Sequence, residues 1–189
     1  LQDVDVIVSG EPTYAWAGAV IREELIRDNN RPYSAIRTAE AFALDRLVLY
    51  RRVLLPARAA GKTIIQERSV TSSIAYQPIQ AEPVTLEQLL ALEGNAFCLN
   101  HAPDLCIIVS TDPARAIQRL QLRTEKQDDA IFEKLPILEE LHERYHAPWF
   151  KNLLLEHGWR LEYLDANGAV EDAVARAKEL TVQYTRTPV

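Results

Sequence analysis

Methionine is missing from all 189 residues, even from position 1. An average composition contains a few, so the native N-terminus is expected to lie upstream of Leu1. Cysteine is scarce. Cys98 and Cys106 are too few for a disulfide framework, and they suit a reducing, cytoplasmic setting. Long apolar runs are missing too: Cys106-Ile107-Ile108-Val109 is far short of a membrane helix, so no membrane association is expected. No charged stretch followed by an apolar one opens the chain, which argues against a secretory leader. Basic excess is absent. A net charge of −6 and a pI near 5.3 argue against a nucleic-acid polymer as partner, while leaving room for a local basic pocket.

What is present is apolar content with a changing period. A chain of this length with 48% apolar residues can bury one core, so a single domain over 1–189 is expected. The apolar spacing alternates between strand-like and helix-like, which predicts an α/β protein. Buried strands are expected at 4–8, 63–66, 105–109 and 160–164. Helices are expected over 16–27, over 35–58 with Ser34 as cap and Gly61 as stop, and over 85–92 behind a Thr85/Gln88 capping box. Further helices are expected from Asp112-Pro113, where proline suits a first turn, and over 132–146, stopped near Pro148. A terminal helix would bury Val170, Ala173, Val174, Ala177 and Leu180. Residues 119–129 are charged, with little apolar periodicity, and read as a lid. Crossover helices between four strands imply a parallel sheet covered on both faces. Such sheets bind ligands at the carboxyl ends of their strands, here Ser9-Gly10-Glu11, Glu67-Arg68-Ser69 and Ser110-Thr111-Asp112.

Phe42 and Arg46 are four apart and share a helix face. A ring that stacks on a base beside a guanidinium fork for phosphate is what a nucleotide needs. The same pair also fits a core phenylalanine beside a solvated arginine. Glu67-Arg68 at a strand exit can hold phosphate oxygens and a hydrated magnesium ion, or can be an internal ion pair. Ser72, Ser73, Tyr76 and Gln77, one and two turns on, supply donors and acceptors for a base edge and a sugar. Arg119, Arg123 and Lys126 in the lid can stabilise charge on a moving phosphoryl group, or form a solvated helix end.

These motifs resemble the thymidylate kinase family, in this order: Phe42, Arg46, Pro56, Gly61-Lys62, a strand, Glu67-Arg68, then Ser73-Ile74-Ala75-Tyr76-Gln77. Weaker similarity runs on through Pro103-Asp104-Leu105 and Asp112-Pro113, so most of the chain is covered. The resemblance implies a three-layer P-loop kinase fold with a lid, ATP and Mg2+ as cofactors, and phosphorylation of dTMP to dTDP. It also implies a homodimer with a small-molecule nucleotide substrate. Phe42 would stack on thymine, and Arg46 and Arg68 would hold the monophosphate. Trp16, Ser72, Ser73, Tyr76 and Gln77 would line the base and sugar. Glu11 and Glu67 would organise magnesium or the sugar, with Glu67 on the metal side, and Arg119 and Arg123 would close on the transferring group.

Two departures matter. Glu67 stands where the family has Asp, and Glu67-Arg68-Ser69 with Glu11-Pro12 and Trp16 is similar to the deoxyribonucleoside kinases. There the Glu is the base for the sugar hydroxyl and the Trp lines the nucleoside pocket, which makes such a kinase one alternative. A nucleotide-binding module without ATP chemistry is another. The Gly-rich ATP loop is the second departure. Gly61-Lys62-Thr63 ends like one, but Pro56 stands at its first glycine and the segment runs from helix to strand. A segment with strand, P-loop and helix is therefore expected to precede Leu1. His142-Glu143-Arg144-Tyr145-His146 matches the zinc-protease pattern, but Pro148 follows closely and Asn152 stands where the extended form needs a third His. Zinc hydrolysis is thus the weakest of the rival classes.

Overall fold

The computed structural model describes residues 5–26, 33–80, 82–122 and 134–185. They form two compact units, Leu1–Asn100 and His101–Val189.

In the first unit, β1 (Val6–Gly10) pairs in parallel with β2 (Thr63–Glu67), from Val6 opposite Thr63 to Gly10 opposite Glu67. A parallel pair needs a long crossover. It is supplied by α1 (Trp16–Val20) with a π-helical turn Ile21–Leu25, then α2 (Ala35–Leu49), a second π-helical stretch Tyr50–Leu54, and α3 (Leu55–Ala59). The expected helix over 35–58 is thus continuous but widened in its middle. Pro56 explains the widening: it has no N–H and its ring crowds the carbonyl of Arg52, inside the π stretch. Gly61, at φ 72, stops the helix as expected.

Ser34 does not cap α2. Its side chain makes no capping bond, and the Ala35 amide donates instead to Glu82 Oε2 at 3.1 Å. The Thr85/Gln88 capping box forms, at 3.1 and 2.9 Å, and opens α5 (Leu86–Ala91). The chain then bends at Leu92 into α6 (Glu93–Leu99), a helix absent from the sequence-based expectation. Gly94 lets α6 lie against α2, because a Cβ there would overlap the Ala43 carbonyl. α4 (Val70–Tyr76) adds Val70, Ile74 and Ala75 to the core, with Leu89, Leu99 and Cys98. The Cys98 thiol lies 3.0 Å from the Tyr50 hydroxyl, and burial pushes its pKa up.

In the second unit, β3 (Cys106–Ser110) pairs in parallel with β4 (Leu161–Asp165). Asp112 caps α7 (Pro113–Gln121) through Oδ1, 3.0 Å from the Ala114 amide and 3.2 Å from that of Arg115. α8 (Leu135–His146) ends before Pro148, which opens α9 (Pro148–Glu156) rather than terminating the helical region. Phe150, Leu154, Trp159, Leu164 and Leu141 form the core with Leu180 of α10 (Val170–Thr185). Of the face expected for α10, Leu180 is buried, Ala173 and Ala177 are half-buried, and Val170 and Val174 are exposed.

The strands are parallel as expected, but less buried than expected. Val8 and Ile65, opposite each other in register, are 77% and 56% exposed, and Val109 is 65% exposed. Arg123 and Lys126, and lid residues 123–129 generally, lie outside the described residues.

Candidate functional site

The chain leaves β1 through Glu11, whose amide donates to the Glu67 carbonyl at 3.0 Å and extends the ladder by one bond. This directs the Glu11 side chain inward, toward α2. Arg46 meets it there, with Nε 2.9 Å and Nη2 2.6 Å from Glu11 Oε2. The guanidinium also donates to Ser73 Oγ of α4 at 3.1 Å and to Asn95 Oδ1 of α6. Gln66 Nε2 donates to the other Glu11 oxygen at 2.8 Å, and Asn95 Nδ2 donates to the Leu89 carbonyl at 2.8 Å. Burial pushes the Glu11 carboxyl above the ordinary carboxylate range, and the Arg46 charge opposes that rise. At 1% exposure Arg46 is among the most buried side chains of the first unit.

The neighbouring α2 residue holds the next piece of chain. Asp45 accepts from the Thr13 amide and from Thr13 Oγ1, both at 2.7 Å. Arg22 reaches back to the Pro12 and Thr13 carbonyls, with Nε at 3.0 and 3.2 Å. Two consecutive acid–base residues of one helix, Asp45 and Arg46, thus fix segment 11–13 after β1.

Around this cluster lie groups with capacity to spare. Gln77, at 3% exposure, follows α4 four residues after Ser73, and neither its amide oxygen nor its amide nitrogen has a hydrogen-bond partner. Buried amides without partners are rare and costly, which marks this one as a place for a polar ligand. Arg68 leaves β2 in the left-handed region at φ 64, exposed, with its guanidinium 5.8 Å from the Tyr76 ring. A non-glycine residue held there is strained, and such strain collects at binding sites. Glu67, just before it, is also exposed. Ser69 caps α4 through the Thr71 amide at 3.4 Å, so it acts as a structural cap. Ser72 and Phe42 are half-buried, and Trp16 is exposed at φ 52 with the Arg52 guanidinium 5.6 Å from its ring.

The first unit therefore brings together Glu11, Arg46 and Ser73 as contacts, with Gln77 on the same segment. Arg46, expected to offer a free fork to a phosphate, has its fork taken by Glu11, Asn95 and Ser73. Asn95, Gln66, Asp45 and Thr13 are site residues that the sequence reading missed. The available signal was their polarity within otherwise apolar stretches.

Arg119 lies on α7 in the second unit. Its Nη1 donates to the Ala166 carbonyl at 2.7 Å, and its Nη2 to the Gly168 carbonyl at 2.9 Å and the Asn167 carbonyl at 3.4 Å. Arg115, one turn earlier, donates to the same Asn167 carbonyl. Among the described residues no three His, Cys, Asp or Glu side chains are grouped to hold a metal ion, and His142 and His146 stack on each other. No helix of the described residues is long and apolar enough to cross a membrane.

A family model for thymidylate kinase matches residues 1–172. The chain is 34% identical over 173 residues to a probable thymidylate kinase of Staphylothermus marinus, covering 91% of this chain and 79% of that protein. It is 32% identical over 174 residues to a probable thymidylate kinase of Pyrococcus abyssi, covering 90% and 78%. A thymidylate kinase of Lactobacillus delbrueckii subsp. bulgaricus is 27% identical over 178 residues, covering 93% and 80%.

Proposed function

This chain belongs to the thymidylate kinase family of nucleoside monophosphate kinases, with the α/β P-loop kinase fold that membership brings, and from that premise we propose that it phosphorylates dTMP to dTDP at the expense of ATP. The observation that carries the acceptor assignment is the buried, unpartnered Gln77 amide, four residues after the Ser73 that accepts from Arg46. An amide offers one acceptor and one donor side by side, which matches the N–H and C=O of a thymine edge. Phe42, Trp16, Ser72, Ser73 and Tyr76 complete the base and sugar surroundings in this reading. Arg68, exposed at the strand exit, takes the monophosphate. Arg46 acts by fixing Glu11 and Ser73 beside the acceptor.

Mg2+ is a hard cation that takes carboxylate oxygens and water, and the exposed Glu67 carboxylate at the end of β2 fits it. When bound, the ion would neutralise charge on the phosphoryl oxygens. For the ATP phosphates the described residues contain no fitting Gly-rich cradle: Gly61-Lys62-Thr63 joins a helix stop to a strand, and Lys62 pairs with Asp5 at 2.9 Å. Arg119 and Arg123 are proposed to close on the transferring group. We also propose one domain over 1–189 with a lid near 119–129, a cytoplasmic location and a homodimer. The family match spanning both compact units supports the single domain, and the low cysteine content suits the location. The deoxyribonucleoside kinase reading is disfavoured, because the Glu11 carboxylate it needs as a base is buried and bonded to Arg46 and Gln66.

The test is calorimetric titration of dTMP and of thymidine into wild type and Arg68→Ala. Loss of a charged hydrogen bond should weaken dTMP by about 10- to 100-fold, on the order of 1.5–3 kcal/mol, and leave thymidine nearly unchanged. Equal weakening of both ligands would remove Arg68 from the phosphate. ADP release that depends on dTMP, measured on the same protein with ATP and Mg2+, checks the reaction itself.

A further inference from the structure

The carboxyl end of β3 carries another polar constellation, built from residues that the acceptor site and its reaction do not use. His146 Nδ1 lies 2.7 Å from the carbonyl oxygen of His142. A carbonyl oxygen only accepts, so Nδ1 carries a proton, and in the neutral ring Nε2 keeps its lone pair. Ser110 Oγ sits 3.0 Å from that Nε2, and with the nitrogen unable to donate, the hydroxyl donates to it. Stacking holds the imidazole in this orientation: the His142 ring centroid is 4.2 Å away and that of Tyr163 5.0 Å. Tyr163 is itself tied down by its hydroxyl, 2.7 Å from the Tyr145 carbonyl. A nucleophile, a base and an acceptor that orients the base are thus lined up, the arrangement that activates a serine. His146 is exposed and Ser110 half-buried, so a small reagent can reach them.

The surroundings limit the chemistry open to this pair. Asp112 Oδ1 already takes the Ala114 and Arg115 amides at the start of α7, so those amides are not free to hold an oxyanion. One such donor is worth about 10²–10³ in rate. Acylation and deacylation both pass through an oxyanion, so the pair is limited to activated esters, whose good leaving groups let acylation outrun hydrolysis of the plain serine ester.

We propose that Ser110 is a site of covalent acylation by small activated carboxylic esters, with His146 as its general base. Ser110 Oγ attacks the ester carbonyl carbon while His146 Nε2 takes the hydroxyl proton. The tetrahedral adduct collapses, the bond to the leaving oxygen breaks, and that oxygen takes the proton back from His146. The acyl group stays on Ser110.

The test uses the full chain with p-nitrophenyl acetate as probe. Wild type should release about one equivalent of nitrophenol in step with acetylation, with the acetyl group located on Ser110 by peptide mass spectrometry. Ser110→Ala should abolish that adduct. His146→Gln should slow labelling of Ser110 by about 10²-fold, the lower end of a general-base contribution. Free imidazole added to His146→Ala, with the fold checked by circular dichroism, should restore it. Should the His146 variants not fold, wild type decides alone: Ser110 must label faster than Ser72. Acetyl groups confined to lysines and histidines, equal Ser110 labelling in wild type and a folded His146→Gln, or no imidazole rescue would overturn the proposal.

Discussion

Arg46 in the first unit and Arg119 in the second each donate to three residues, but under opposite conditions. Arg46 is buried and faces a carboxylate, an amide oxygen and a hydroxyl. Arg119 is exposed and faces the backbone carbonyls of Ala166, Asn167 and Gly168. Water competes for every one of the Arg119 contacts and for none of the Arg46 contacts. The same number of partner residues therefore represents a different dependence on each: the first unit cannot lose Arg46 without leaving charge and polar atoms stranded, whereas the second can solvate whatever Arg119 releases.

The largest effect expected from this contrast is that of Arg46→Met. It strands the Glu11 carboxylate in a dry site and should cost about 3–5 kcal/mol, read as a shift of the urea midpoint of the first unit. Adding Glu11→Gln to it should recover part of the loss, and a double variant no more stable than the single would break the contrast. Next in size is Gly94→Ala. The added Cβ must push α6 away from the Ala43 carbonyl, at about 1–3 kcal/mol by thermal unfolding. Glu82→Ala comes third, at about 1 kcal/mol, because it removes the bond to the Ala35 amide, while Ser34→Ala should be almost neutral. Arg119→Ala should be smallest in stability, within roughly 1 kcal/mol. If Arg119 serves the transferring group as proposed, its kcat should still fall sharply. A large stability loss with unchanged kcat would make it a structural clasp instead.

That ranking also marks what could be read from the chain alone. Local signals were legible. All four strands lie within two residues of where apolar runs placed them, and the Thr85/Gln88 box, the Asp112-Pro113 start and the Gly61 stop depend on neighbours in sequence. Signals that depend on distant partners were not. The donor site on Ala35 is met by Glu82, forty-seven positions away, so no inspection around Ser34 could find it. α6 was missed because Gly94 and Asn95 look like breakers until α2 lies against them. α9 was missed because proline marks both a helix stop and a helix start, and Pro148 does the second. At the site, Glu11, Arg46 and Ser73 were named for their residue types. That Arg46 would face inward to Glu11, and that Asn95 would complete it, required the packing of α2, α4 and α6.

The Cys98 thiol, shut in the core against Tyr50, has a use beyond packing. A thiol that cannot be approached until its surroundings part is a clock for that parting. With excess alkylating reagent, the rate at which Cys98 is lost reports how often the first unit opens, while the half-buried Cys106 shows in the same sample how fast a partly reachable thiol reacts. One buried residue that does no chemistry would thus let the breathing of the first unit be timed against an internal reference.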